Sequence, residues 1–378
     1  MLDERHRVVE LQSIRGLASV VVLAAHCFSV YRVPGWLTNS KNILFNGQGA
    51  VVLFFTLSGF VLGCSLKNLP TNWRATSSFY VKRIFRIYPA LWMASAIGFG
   101  YLVFFHFSAP HPDVTIWFME RFRRERLVPI NFLAALAGCL GLLVTPVWSI
   151  FNELVNSAIL PLTARLSFDQ PRLGLALAAA LGLLSVTIGP FTFYGVLLYP
   201  LDFQIGILLA VLFARSPQLK TPSKIWGLVF TLGVLASGCA RGVALLFNPA
   251  LVQNDPLMHL IELTGAAAII AAANSGSVPL LRSRLTKSLG DISYSIYLLH
   301  FPIMCFIALG LANIPALRGQ TPVETLLLFT LTLAATIAGA TITYRLIELP
   351  CIALGKQVAD RLRRGATPLA IASVEFGA

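Results

Sequence analysis

The chain has 378 residues, 56% of them hydrophobic and only 12% charged, with a mean hydropathy of +0.75. Soluble domains carry about 25% charged residues, so the composition excludes a row of soluble domains and places the chain in a lipid bilayer. The net charge of +13 is carried in short loops between apolar runs, where it orients a membrane protein rather than marking a nucleic-acid surface.

Ten apolar stretches have the length of a membrane-crossing helix: 13–31, 49–66, 88–107, 147–165, 173–190, 194–214, 225–247, 257–275, 290–311 and 323–346. The expected fold is therefore all-α and polytopic, with about ten transmembrane helices in a single domain over 1–355. A short cytoplasmic tail follows over 356–378. The first stretch lacks a small-residue cleavage site and reads as a retained helix. One set of loops holds Lys67, Arg74, Lys82, Arg83 and Arg86, then Arg165, Arg172, Arg215, Lys220, Lys224, Arg282, Arg284 and Lys287. That side is expected to be cytoplasmic, with both termini on it and the protein in the inner membrane as a multi-pass protein. Arg121, Arg123, Arg124 and Arg126 break the pattern on the far side, where a surface helix at the headgroup layer is one way to hold them. Residues 130–146 are apolar, but only Pro146 separates them from the next run, so a re-entrant or interfacial segment is expected there. None of the six cysteines forms a CxxC pair, so neither a disulfide framework nor a metal site is expected.

The first stretch carries Arg15 and, eleven residues later, His26. On an α-helix that spacing rises about 16 Å and brings both side chains to nearly one face. The Arg then stands at a membrane surface and the His near mid-depth, where an ionisable group marks function. Neutral imidazole takes a proton from a hydroxyl; alone, such a His is equally a packed helix–helix contact or a haem ligand. After the second stretch comes Tyr80-Val-Lys-Arg83-Ile-Phe-Arg86-Ile-Tyr88-Pro89, in a loop whose Arg83 and Arg86 share a face if it is helical. Paired guanidiniums grip phosphates; anchoring to anionic lipid explains them as well.

The second stretch holds Phe54-Phe55-Thr-Leu-Ser58-Gly59-Phe60, where small residues allow close helix approach and Ser58 is a candidate for lining a substrate path. Val147-Trp148-Ser149-Ile-Phe-Asn152-Glu153 opens the fourth stretch. Trp148 suits an interfacial belt, and Ser149 and Glu153 lie one turn apart on one face. A carboxylate inside the membrane requires a partner or a function. Glu153 is open to orienting His26, binding an acceptor hydroxyl or pairing a cation. In the ninth stretch Tyr294, Tyr297 and His300 step inward at three-residue spacing, as a hydrated path or interhelical hydrogen bonds would require. Asp202, Arg241 and Glu262 read as a structural ion network, with acceptor binding the sharper alternative.

No Walker A loop, HExxH, GxSxG elbow or dinucleotide fingerprint is present. Taken in order, Arg15-x10-His26, FFxxSGF, RxxR before Tyr-Pro, WSxxxE, SYSIYLLH and Glu348-Leu-Pro350 resemble the acyltransferase-3 family of integral membrane acyltransferases over nearly the whole chain. The resemblance implies a ten-helix enzyme taking an acyl group, usually acetyl, from cytoplasmic acyl-CoA, without a metal. The acceptor it implies is a hydroxyl of a cell-surface or exported saccharide, either free or on lipid. It gives His26 a catalytic role and Arg15, Arg83 and Arg86 the donor; Glu153 is read with His26 as a catalytic residue. Ser58, Trp148, Ser149, Tyr294, Tyr297 and His300 are then expected along the substrate path. One departure is Leu154-Val-Asn156-Ser157 after Glu153, where relatives often continue Phe-Tyr. Two other classes fit the composition: a proton-coupled secondary transporter relaying through His26, Glu153 and His300, and a non-catalytic scaffold or sensor. No internal repeat supports the transporter.

Overall fold

Caps and prolines set where the helices begin. The side chains of Asn46, Asn72 and Asp255 accept the backbone N–H of Gly49, Ala75 and Met258, and Pro129, Pro171, Pro200 and Pro256 open their helices. Such residues satisfy or remove the donors that a helix leaves orphaned in its first turn. The computed structural model describes residues 2–68, 70, 72–107, 111–121, 123–251 and 255–364, with backbone alone for 2–8 and 220. The last part of the expected tail, 365–378, lies outside the described residues.

Sixteen α-helices follow in order. They are α1 (Leu2–Cys27), α2 (Gly35–Leu44), α3 (Gly47–Leu66), α4 (Trp73–Phe104), α5 (Ile116–Arg121), α6 (Pro129–Leu136), α7 (Val147–Asp169) and α8 (Pro171–Thr187). Then come α9 (Pro200–Arg215), α10 (Lys224–Val234), α11 (Ala240–Phe247), α12 (Pro256–Asn274), α13 (Arg284–Asp291), α14 (Ser293–Ala312), α15 (Thr321–Thr343) and α16 (Leu349–Arg364). One π-helical turn, Leu235–Cys239, joins α10 to α11, and another, Tyr344–Glu348, joins α15 to α16. Among the described residues the β pairing is one isolated bridge, Tyr31 with Val114.

The chain is an all-α polytopic membrane protein. Among the described residues, seven stretches of helix are by length and composition apolar enough to cross a bilayer: Gly35–Leu66, Trp73–Phe104, Phe193–Arg215, Lys224–Phe247, Pro256–Asn274, Ser293–Ala312 and Thr321–Arg364. The other expected spans fall on α1, α7 and α8. Of these, α8 is short at 17 residues, while α1 and α7 carry polar groups such as Arg15, His26, Asn152 and Glu153.

Helices α1, α3, α9, α12 and α14 pack together at the centre, with α4 and α7 beside them. Buried residues run almost the full length of α14. By contrast α8, α10 and α15 turn Leu175, Leu183, Leu228, Leu232, Leu326 and Leu331 outward, as lipid-facing helices do.

Three local expectations change, at 83–86, at 121–126 and at 290. Arg83 and Arg86 stand not in a loop but inside α4, which the Asn72 cap starts early and which continues through Pro89. The basic run 121–126 is not one surface helix: α5 stops at Arg121, and a separate 3₁₀ turn holds Arg124–Arg126. Residues 130–146 give the short α6 and then irregular backbone with Gly138 at φ +79°, consistent with a segment that does not cross. Finally, the helix expected from 290 breaks at Ile292, so α14 starts at Ser293.

Candidate active site

Helix α1 is continuous from Leu2 to Cys27, so the Arg15–His26 spacing acts as a ruler through the bundle. Around it lie three neighbouring cavities that share wall residues. The first, about 660 Å³, opens at the end where α1 begins and is lined by Arg15, Ser58, Arg83, Arg86, Glu153 and Asn274 among others. A narrow waist of about 40 Å³ follows, sharing Arg15, Ser58 and Glu153 with that inner cavity and adding Ser149, Tyr294 and Tyr297. The third, about 330 Å³, lies toward the opposite end and contains His26, Lys41, Gln48, Trp117, Trp148 and Arg241, meeting the waist at Val51 and Tyr297. The larger two fall in the size range of small-ligand sites.

The inner cavity is cationic. Arg83 donates to Glu153 at 2.6 Å, and its buried Nε has no partner among the described residues. Neither Arg15 nor Arg86 makes a hydrogen bond or ion pair with a described residue. The carboxylate of Glu153 is thus held by Arg83 at the inner end and does not touch His26. A cavity with guanidiniums outnumbering carboxylates favours an anion, best a phosphate that accepts several N–H groups.

Hydrogen bonds close the waist. Ser149 donates to the Pro146 carbonyl at 2.9 Å, so the 2.6 Å contact between Ser149 and Tyr297 has the tyrosine as donor. Tyr294 donates to the Ile87 carbonyl at 2.8 Å, tying α14 to α4. The waist has room for about one to three waters between the two larger cavities, and anything wider has to displace the Phe54 and Tyr297 side chains that touch there.

In the outer cavity the partner of His26 is His300. His300 is fully buried and lines none of the three cavities. Its Nδ1 lies 3.1 Å from the Ile296 carbonyl, which only accepts, so this nitrogen bears the proton. In the neutral ring Nε2 is then an acceptor, and it lies 3.0 Å from His26 Nδ1. This assigns the His26 tautomer from its partners: Nδ1 donates to His300, and the Nε2 lone pair is left on a ring that lines the cavity. Trp117 stacks on His26 with centroids 5.9 Å apart, and Phe301 meets it edge-on at 5.3 Å. Arg121 in turn lies 5.2 Å over Trp117.

Sequence reasoning missed Trp117, Lys41 and Gln48. Trp117 reaches the site because residues 111–121 are stitched to the end of α1: Arg32 donates to Asp113, Thr115 to Val30, and the Thr115 hydroxyl to Ser29. No local pattern announces such contacts. The expected ion network divides in two. Arg241 grips Glu262 through Nε at 2.6 Å and Nη2 at 3.0 Å, with Asn46 also donating to Glu262 at 2.7 Å. Asp202 instead meets His259 at 2.9 Å. Ser295 on α14 donates to Glu348 in the second π-helical turn. Among the described residues no group of three or more His, Cys, Asp or Glu is placed to hold a metal ion.

Similarity to known proteins bears on this arrangement. Residues 8–345 match the acyltransferase-3 family, described as an acyltransferase domain, a span that includes every cavity residue named above. Protein 2 of the picA locus of Rhizobium radiobacter is 30% identical over 185 residues, 46% of this chain and 91% of that protein. Acyltransferase MdmB of Streptomyces mycarofaciens is 27% identical over 338 residues, 79% of this chain and 80% of that protein. No solved structure matches. A match running from the first helix to the second π-helical turn decides for an enzyme over a transporter or scaffold: the chain belongs to the acyltransferase-3 family and is a multi-pass membrane acyltransferase.

Proposed function

We propose that the protein moves an acyl group, acetyl in the first instance, from cytoplasmic acyl-CoA to a hydroxyl of a cell-surface or exported saccharide. One observation carries this reading: the guanidiniums of Arg15 and Arg86, without a hydrogen-bond or ion-pair partner among the described residues, line a cavity that borders the waist, and the waist in turn borders the cavity lined by His26. Arg15, Arg83 and Arg86 hold the donor's phosphates at the cytoplasmic end. Glu153 keeps Arg83 in place. Ser58, Ser149, Tyr294 and Tyr297 line the way of the thioester arm, and Tyr297 swings aside to admit it.

In the outer cavity Trp148 walls the acceptor and His26 Nε2 removes its hydroxyl proton. The alkoxide oxygen bonds to the thioester carbonyl carbon, and the tetrahedral adduct collapses with loss of the C–S bond. The imidazolium returns the proton to the leaving thiolate, so His26 ends as it began. The positive loops on the α1 side support a cytoplasmic location for both termini and an inner-membrane site for the protein. Ten crossings follow if α1, α7 and α8 span as well.

Purified protein in lipid nanodiscs, with labelled acetyl-CoA as the donor, tests the scheme. Arg86→Ala is expected to raise the donor KM by about 10- to 100-fold, the value of a charge-assisted hydrogen bond, with kcat little changed. His26→Ala is expected to lower kcat by about 10²- to 10⁴-fold. A donor KM unmoved by Arg86→Ala would remove the phosphate assignment, and a fully active His26→Ala would remove the mechanism.

A further inference from the structure

We propose that the acceptor taken into the outer cavity is anionic, a saccharide whose carboxylate or phosphate pairs with Lys41. This inference rests on the acyl-transfer reading above and narrows its acceptor. The lining of the outer cavity contains two cations, Lys41 and Arg241, and among its described residues neither Asp nor Glu. The charge of Arg241 is met by the fully buried Glu262 through two hydrogen bonds. Lys41 has no such counter-ion among the described residues.

The rim adds a further positive group. Arg121 lies over Trp117, and the neighbouring Glu120 is taken by Arg123 at 3.0 Å. The cavity thus keeps an uncompensated positive charge within reach of the base. A half-buried ammonium facing a low-dielectric recess is costly without a counter-ion, and an ammonium is a mobile point charge suited to a phosphate or carboxylate.

Lys41 is also held where it stands. Helix α2 packs against α11, and Gly242 lets the Asn42 backbone approach so closely that any added Cβ would collide with it. The backbone that carries Lys41 is therefore fixed beside the cavity that its side chain lines. The proposed orientation puts it on the face that should be poor in Lys and Arg, so orientation does not explain it. The Trp117 and Trp148 rings supply flat apolar walls for a sugar's C–H face, and about 330 Å³ suits a terminal sugar unit rather than a long chain.

The test uses the protein in nanodiscs with labelled acetyl-CoA and alkali-de-esterified surface and exported glycans from the parent cell. The glycans are offered intact, carboxyl-reduced with carbodiimide and borohydride, or dephosphorylated with hydrogen fluoride. Intact glycan should be labelled. One of the two neutralised forms should lose about 10- to 100-fold in kcat/KM, as expected for one charge-assisted contact, and which one loses identifies carboxylate or phosphate. Lys41→Gln should lose the same factor on intact glycan and no longer distinguish it from the neutralised form, while Lys41→Arg keeps the preference and donor KM stays unchanged. Equal labelling of all three forms by the wild type, or a preference that survives Lys41→Gln, overturns the anionic acceptor and leaves the acyl transfer standing. Thioester consumption with no label in any glycan overturns the saccharide acceptor itself, and this inference with it.

Discussion

The direction of one hydrogen bond between two imidazoles decides what His26 can do. With the Ile296 carbonyl fixing the proton on His300 Nδ1, His300 presents an acceptor to His26 and leaves the latter's Nε2 lone pair to the cavity. On the proposed mechanism His300 is then a positioning residue. Replacing it by Leu removes the His300 acceptor and so weakens the preference between the two His26 tautomers. The expected cost is a fall in kcat of roughly 10²-fold, the scale of general-base catalysis, at unchanged donor KM. His300→Gln, whose Oε1 also accepts, should recover much of the rate. If Leu and Gln lose the same factor, His300 serves packing and not tautomer choice; stopped assays of kcat and donor KM on both variants give the answer. The Arg15–His26 spacing was legible because the rise of one helix suffices to read it. The His26–His300 contact joins residues 274 apart in sequence, and Trp117 arrives on a loop bonded to Val30 and Ser29, so neither partner could be read locally.

At the scale of elements, the bundle is held at its centre by backbone contact between α3 and α9. A Cβ on Gly59 would collide with the Phe203 carbonyl, and one on Gly206 with the Thr56 carbonyl. Small residues let membrane helices approach to this distance, and here the approach sets α3, with Ser58, against the waist. Gly59→Ala or Gly206→Ala should destabilise by about 1–3 kcal/mol through overpacking. Gly182→Ala on α8, where nothing lies within 4 Å of the added carbon, should be neutral or gain about 0.5–1 kcal/mol by helix propensity. Denaturant titration of the three variants in detergent separates these outcomes; a Gly59→Ala protein as stable as Gly182→Ala would contradict the close packing. The glycine in Ser58-Gly59 was readable as a packing signal, but not which helix it meets. Apolar length located most of the long helices, yet it misplaced the start of α4. The Asn72 cap lies well before the apolar run, and the basic stretch between is helical because hydrophobicity does not mark helix outside the bilayer.

For the molecule as a whole, the proposed mechanism requires access from two sides. Gln12 lines the cavity near the start of α1, and Asn42 lines the one beyond His26. Between them lies the waist, whose volume suits little more than water. On the proposed mechanism a donor and an acceptor entering from opposite faces would meet at His26 without either crossing the bilayer, and the narrow waist would keep bulk water from the thioester. The arrangement predicts a labelling pattern. With the six native cysteines replaced by Ala or Ser and activity retained, Gln12→Cys should react with a membrane-impermeant maleimide only in inside-out vesicles. Acetyl-CoA should protect it. Asn42→Cys should react only in right-side-out vesicles, without protection by the donor. Reaction of both from the same face would mean that the two cavities share one entrance, and an acceptor would then have to compete with acyl-CoA for the Arg15 end of the path.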